Sequence, residues 1–180
     1  MVGAHIVGLD LSMRSTGVCL LPSGWSGDTN EVVFKNIETS TVEPGDSNRI
    51  NRSCNIVNYI VDFIETTRMC DFTHGMIVGT ESIHIGSGYN VIMLTKLHGA
   101  VELALWQQCG LPLHTVNVSS ARKTLRDGQP IDKGKGAAKK QASRIVNETF
   151  GKAVQPDCAD AYVIANHIRA NIDKYKELNA

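Results

Sequence analysis

Apolar and polar residues alternate at the start of the chain, and alternation marks a strand with one face buried. His5–Ser12 reads as the first strand, with Ile6, Gly8 and Asp10 on one face and Val7, Leu9 and Leu11 on the other. A tight turn carrying Arg14 and Ser15 leads to a second strand, Thr16–Leu21. The turn-rich run PSGWSGDTN then leads to a third, Glu31–Ile37. Connections this short predict an antiparallel meander. The period then lengthens. Ser47 or Asn48 caps a helix to about Arg68, with Ile50, Cys54, Val57, Val61 and Ile64 on one stripe. Gly75–Ser82 is a fourth strand with a buried run at Met76, Ile77 and Val78. A second helix covers about Asn90–Gln108, with Leu94, Leu97, Val101, Ala104 and Leu105 inward, and Gly110 ends it. Leu113–Val118 is the fifth strand, and Ser119 or Ser120 caps a short helix to Leu125. After a Gly- and Lys-rich loop come helices over Ala137–Phe150 and Asp157 to about Ile172. Met93, Trp106 and Tyr162, aromatic or soft residues at helical spacing, read as core.

The order β-β-β-α-β-α-β-α-α predicts an α/β fold: a five-stranded mixed sheet, three strands antiparallel and two added in parallel, flanked by helices. No repeat or linker interrupts it, and 180 residues favour one domain, 1–180. Lys plus Arg and Asp plus Glu both total 18, so the chain is not a uniformly basic binder. The balance hides a segregation. Ser119–Lys152 holds nine basic against three acidic residues, a net +6, and the remainder nine against fifteen, a net −6. A basic block in a neutral chain suits a polyanion, or equally a solvated helix face beside a loop. The five cysteines are an odd number and widely spaced, which predicts buried thiols in a reducing compartment. Without a signal-peptide pattern or an apolar run near the ~20 residues of a membrane span, a soluble, cytoplasmic protein is expected.

Four carboxylates stand where a core would not want them. Asp10 lies in an apolar strand, Glu81 closes the buried fourth strand, and Asp157 and Asp160 share a face of the last helix with Ala161 and Ile164. A buried unpaired carboxylate costs several kcal/mol, and four together would repel. Taken singly, each has an ordinary explanation: Asp10 capping a turn, Glu81 paired with a lysine, Asp157 as an N-cap. Taken together they predict a divalent cation site. Mg²⁺ takes oxygen ligands and leaves positions open, and two such ions roughly 4 Å apart can clamp both reacting oxygens of a phosphodiester. Mn²⁺ can substitute on coordination grounds.

These residues also carry a resemblance. GLDLSMRSTGVCLL at Gly8–Leu21, VGTES at Val78–Ser82, ARKTLRDG followed by GKGAAKKQASRIV, and DCADAYVIANH at Asp157–His167 occur in the order of the motifs of the RuvC-type Holliday-junction resolvases. The chain resembles that RNase H-like family over most of its length. The Leu-Ser pair after Asp10, where the family commonly has Pro-Gly, is similar to phage-encoded members. The resemblance implies an RNase H-like nuclease, a homodimer that cuts branched DNA by paired nicks with two Mg²⁺ ions per site. It implies Asp10, Glu81, Asp157 and Asp160 as catalytic metal ligands, with Lys139 near the scissile phosphate. Candidate DNA contacts are Arg14, His84, Arg122, Lys123, Lys133, Lys135 and Lys140. His84 stands where members often carry an aromatic residue, and Tyr89 lies farther along. Cys158, between two of the acids, reads as packing, because thiolate suits hard Mg²⁺ poorly. The helix at Asn90–Gln108 would supply the dimer interface, with Met93 and Lys96 as candidates. Two other functions fit parts of the pattern. A non-catalytic DNA-binding accessory module would not need all four acids, and an actin- or sugar-kinase-like ATPase would need a longer chain with two lobes. Forks, flaps and RNA–DNA hybrids remain open as substrates.

Overall fold

The computed structural model describes residues 3–39, 46–70, 75–83, 89–130, 132–134 and 136–177. Five strands form one sheet: β1 (Ala4–Asp10), β2 (Ser15–Leu21), β3 (Val33–Glu38), β4 (Gly75–Glu81) and β5 (Leu113–Val116). Their order across the sheet is β3-β2-β1-β4-β5. β1 pairs antiparallel with β2, as β2 does with β3, while β4 lies parallel to both β1 and β5. This is the mixed topology expected from the short early turns and the later helical crossovers.

The strand alternation assigns the two sheet faces. Val7, Leu9, Met76 and Val78 point to helices α1 (Asp46–Cys70) and α2 (Tyr89–Ala104), where they meet Ile56, Ile60, Ile64, Leu97 and Val101. Ile6, Cys19, Leu21 and Ile77 point the other way, to α3 (Val118–Arg126), α4 (Ala137–Phe150) and α5 (Pro156–Ala170). A short helix, α6 (Ile172–Glu177), closes the described chain and buries Tyr175. On the α5 side Trp25 sets its ring edge-on to Tyr162 and lies under the Arg169 guanidinium.

Helix α5 lies unusually close to the sheet, because two glycines admit it. A Cβ on Gly8 would strike the carbonyl oxygen of Ala161, and one on Gly17 that of Asp157. Gly17 is the register partner of Asp10. The start of α5 is therefore seated beside the end of β1. Pro156 opens α5, where its missing N–H costs nothing.

Several expectations are corrected. Helix α1 begins at Asp46, so Ser47 and Asn48 lie inside its first turn rather than capping it. Its buried line runs through Ile56, Ile60 and Ile64, leaving Ile50 and Cys54 exposed. Cys70 is exposed as well, so only three of the five thiols are buried. The cap of α3 is Asn117, whose side chain accepts from the backbone N–H of Ser120; Ser119 and Ser120 follow inside the helix. Gln155, not Asp157, is the cap residue of α5. Helix α2 passes into a π-helical turn, Leu105–Cys109, closed by Gly110 in the left-handed region at φ 64°. Trp106 on that turn is 62% exposed and is not core. Tyr162 is buried as expected, and Met93 is half-buried.

Candidate active site

The four acids belong to three elements that meet at one end of the sheet. Asp10 ends β1 and Glu81 ends β4. The strands are parallel neighbours in register at Leu9 and Thr80, so the two carboxylates leave adjacent strand ends. Both share the alternation parity of the residues that face α5. Asp157 and Asp160 are one turn apart at the start of α5, and the seat on Gly17 brings that turn to Asp10. Asp157 also lies in the first helical turn, where the exposed N–H groups favour negative charge.

Electrostatics report the same convergence. The carboxyl of Asp10 is pushed up from 3.8 to about 7, first by burial and then by the charges of Asp160, Asp157 and Glu81, against the opposing pull of Lys139. Asp160 is 4% exposed. Its Oδ2 is 2.5 Å from Lys139 Nζ, and its Oδ1 accepts from Arg122 Nη2 at 3.3 Å. Burial alone would lower the pKa of Lys139. The hydrogen bond to Asp160 and the charges of Asp160, Asp10 and Asp157 outweigh it and raise the value. Among the described residues no three His, Cys, Asp or Glu side chains are gathered as ligands of one ion. Asp160, spanned by two cationic side chains, is held as an ion-paired group. The donor set still fits a hard divalent cation. It is all oxygen, and Asp10 is a half-buried carboxyl whose pKa is raised mainly by desolvation and like charge, which such an ion would relieve.

The surroundings divide the other predicted residues. Arg14 is exposed in the turn after Asp10. That turn satisfies itself: Ser12 N–H donates to Thr16 Oγ1, Thr16 Oγ1 donates to the Ser12 carbonyl, and Ser15 Oγ donates to Asn36. Lys123, Lys133 and Lys140 are exposed. Arg122 is not free on the surface but committed to Asp160, with its side chain 19% exposed. Lys140 joins Lys139, Ser143 and Arg144 along an open groove of about 730 Å³ on α4. His84 and Lys135 lie outside the described residues, and the side chain of Tyr89 does too. Cys158 is buried and bonds the Lys35 carbonyl at 3.3 Å, as a packing residue should.

Two features escaped the sequence reading. Arg122 as a partner of Asp160 had no signal beyond its place in a basic block. A cleft of about 270 Å³ opens beside Asp10 and Glu81, lined by Leu11, Leu94 and His98 among others. Burial lowers the pKa of His98, which lines that cleft, and so favours its neutral imidazole.

No protein-family model and no curated protein matches the sequence. The backbone does match solved structures. It aligns with Thermus thermophilus RuvC in complex with Holliday junction substrate at a TM-score of 0.68, with 17% identity, over 95% of this chain and 96% of that one. The fold is that of RuvC. A second structure of T. thermophilus RuvC gives a TM-score of 0.67 and 18% identity, over 94% of this chain and 96% of the other. The RuvC fold is thus spanned nearly end to end, as the five-stranded mixed sheet of the RNase H-like class. No described helix is long and apolar enough to cross a membrane.

Proposed function

We propose that this chain is a single-domain, Mg²⁺-dependent endodeoxyribonuclease that resolves Holliday junctions by paired nicks. The observation that carries the reading is the meeting of Asp10, Glu81, Asp157 and Asp160 at one sheet end, with Asp10 pushed up to about 7. A structural core has no use for that charge density. A phosphodiester hydrolase does. Asp10, Glu81, Asp157 and Asp160 would hold the ions, which supply charge neutralisation and an acidified water when bound; Mn²⁺ would serve on the same coordination grounds. The likeness to RuvC bound to its junction supports branched DNA as the substrate.

The chain's own residues divide the remaining work. The exposed Lys123, Lys133 and Lys140 lie on or between α3 and α4, both of which pack on α5 beside the acids. They would hold the phosphate backbone and make binding salt-dependent. Arg14 would hold a strand from the opposite edge of the site. Two symmetric cuts need two sites related by a twofold axis, so the working unit would be a homodimer. Helix α2 offers the face: Ile92 and Leu103 are each 55% exposed, and Trp106 extends the same apolar surface past Ala104. Met93 and Lys96 line the adjoining groove of about 690 Å³ against α1.

The test is cleavage of a labelled four-way junction, a replication fork and a linear duplex, with Mg²⁺ and with chelator, beside Asp160→Asn. Paired, Mg²⁺-dependent nicks at the junction, lost in the variant, are expected. Equal cutting of forks and flaps would keep the chemistry and remove the junction preference. Binding without cutting under any metal would replace the nuclease with an accessory module.

A further inference from the structure

Lys139 is oddly placed for a lysine. It is the third residue of α4, in the first turn, where the helix dipole disfavours a cation. Gly136 at the cap has no side chain, and the first turn of α4 carries no acidic residue to offset this. The compensation lies across the site, where the ammonium meets Asp160 Oδ2 at 2.5 Å and feels Asp10 and Asp157 as well. A cation already sits among the acids, and it belongs to the chain.

Its two neighbours on Asp160 differ in mobility. Arg122 reaches Oδ1 from α3 with only 19% of its side chain exposed, so packing holds it. Lys139 reaches Oδ2 with 49% of its side chain exposed, and a flexible four-carbon stem lets it swing into solvent without opening the core. One oxygen of Asp160 is fixed and the other is exchangeable.

We propose that the Lys139 ammonium is the resident cation of the metal-free site, and that a divalent ion arriving at the acids displaces it from Asp160 Oδ2 while Arg122 keeps Oδ1. This rests on the reading of the acids as a metal site. Metal binding and the Lys139–Asp160 contact are then linked with opposite sign. The released ammonium is freed on the side of the site where α4 carries Lys140 and Arg144. Metal arrival would thus add a positive charge to the nucleic-acid surface at the moment the site becomes competent.

Mg²⁺ binding without DNA, followed by titration calorimetry, tests the linkage. Lys139→Met is compared with the natural chain and with Lys152→Met, which removes an exposed charge from the loop after α4. Removing the competitor should tighten Mg²⁺ on the order of fivefold or more, whereas Lys152→Met should stay within about twofold. In the natural chain, the ¹⁵N resonance of the Lys139 ammonium should show the Asp160 bond without metal and lose it as Mg²⁺ is added. That measurement needs no variant and decides the matter if Lys139→Met folds poorly. Unchanged or weaker Mg²⁺ binding by a folded Lys139→Met, or an ammonium signal unmoved at saturating Mg²⁺, overturns the displacement and leaves the metal site standing. Absence of Mg²⁺ binding in the natural chain and in Lys139→Met alike removes the metal site and the displacement with it.

Discussion

The two faces of the sheet are packed by different means. Against α1 and α2 the contact is aliphatic, with Leu9, Val18, Ile56, Ile60 and Leu97 filling space in the ordinary way. Against α5 the contact is a backbone approach, set by Gly8 and Gly17 and lined by Ala159, Ala161 and Ala165. The first face holds the sheet together and leaves apolar residues of α2 on its outside. The second spends close packing on position, because the helix seated there delivers Asp157 and Asp160 to Asp10. A face that must hold a charge cluster in place should tolerate little change. A face that only fills volume should tolerate more.

The sharpest break of the comparison is at the acids. Asp10→Asn should lower junction cutting by roughly two to three orders of magnitude, the scale of losing one charge-stabilising group, while a gel-shift assay finds junction binding intact. Full cutting by that variant would mean the α5 face holds no site.

The pH dependence comes next. Folding pushes the pKa of the Asp10 carboxyl up to about 7 from its ordinary 3.8. Between those values the folded state keeps a proton that the unfolded state has lost, so stability falls as pH rises. The favourable contribution is complete below about pH 4 and gone above about pH 7, a swing on the order of a few kcal/mol. Denaturant melts in chelator should show that slope in the natural chain and a flatter one in Asp10→Asn. Equal slopes would place Asp10 in an ordinary solvated setting.

Smaller effects compare the packing directly. Gly17→Ala adds one methyl group against the Asp157 carbonyl and should cost about 1–3 kcal/mol, with cutting reduced per folded molecule as α5 retreats. Ile60→Val removes one methylene from the other face and should cost about 0.5–1.5 kcal/mol, with cutting per folded molecule unchanged. If both variants lost stability alone, the distinction between the faces would collapse to volume.

Much of this was legible in the sequence, for identifiable reasons. Period-two alternation placed Asp10 with Ile6 and Gly8, and the three-residue spacing put Asp157 and Asp160 on one helical face with Ala161 and Ile164. These local geometries survive folding. Trp106 was misjudged because an aromatic identity outweighed its angle. Nine residues after Leu97, it stands half a circle away from the buried stripe at 100° per residue. Ile50 and Cys54 were misjudged because an apolar stripe on a helix can run past the sheet it covers. The cap of α3 is Asn117, two residues before Ser119, because its side chain accepts from the Ser120 N–H. The commitment of Arg122 to Asp160 was invisible, since their 38-residue separation is closed only by the packing of α3 on α5.

The two tryptophans fall one to each side of this division. Trp25 is partly shielded beneath Arg169 and beside Tyr162, whereas Trp106 stands in solvent on the π-helical turn. The chain therefore carries two native optical reporters of opposite character. In a single copy of the chain, Trp25 on the α5 side should emit to the blue of Trp106 and meet less of a soluble quencher, and pairing of two copies across α2 should cover Trp106. A shift in one band without the other would tell, with no label attached, which side of the sheet a bound molecule had reached.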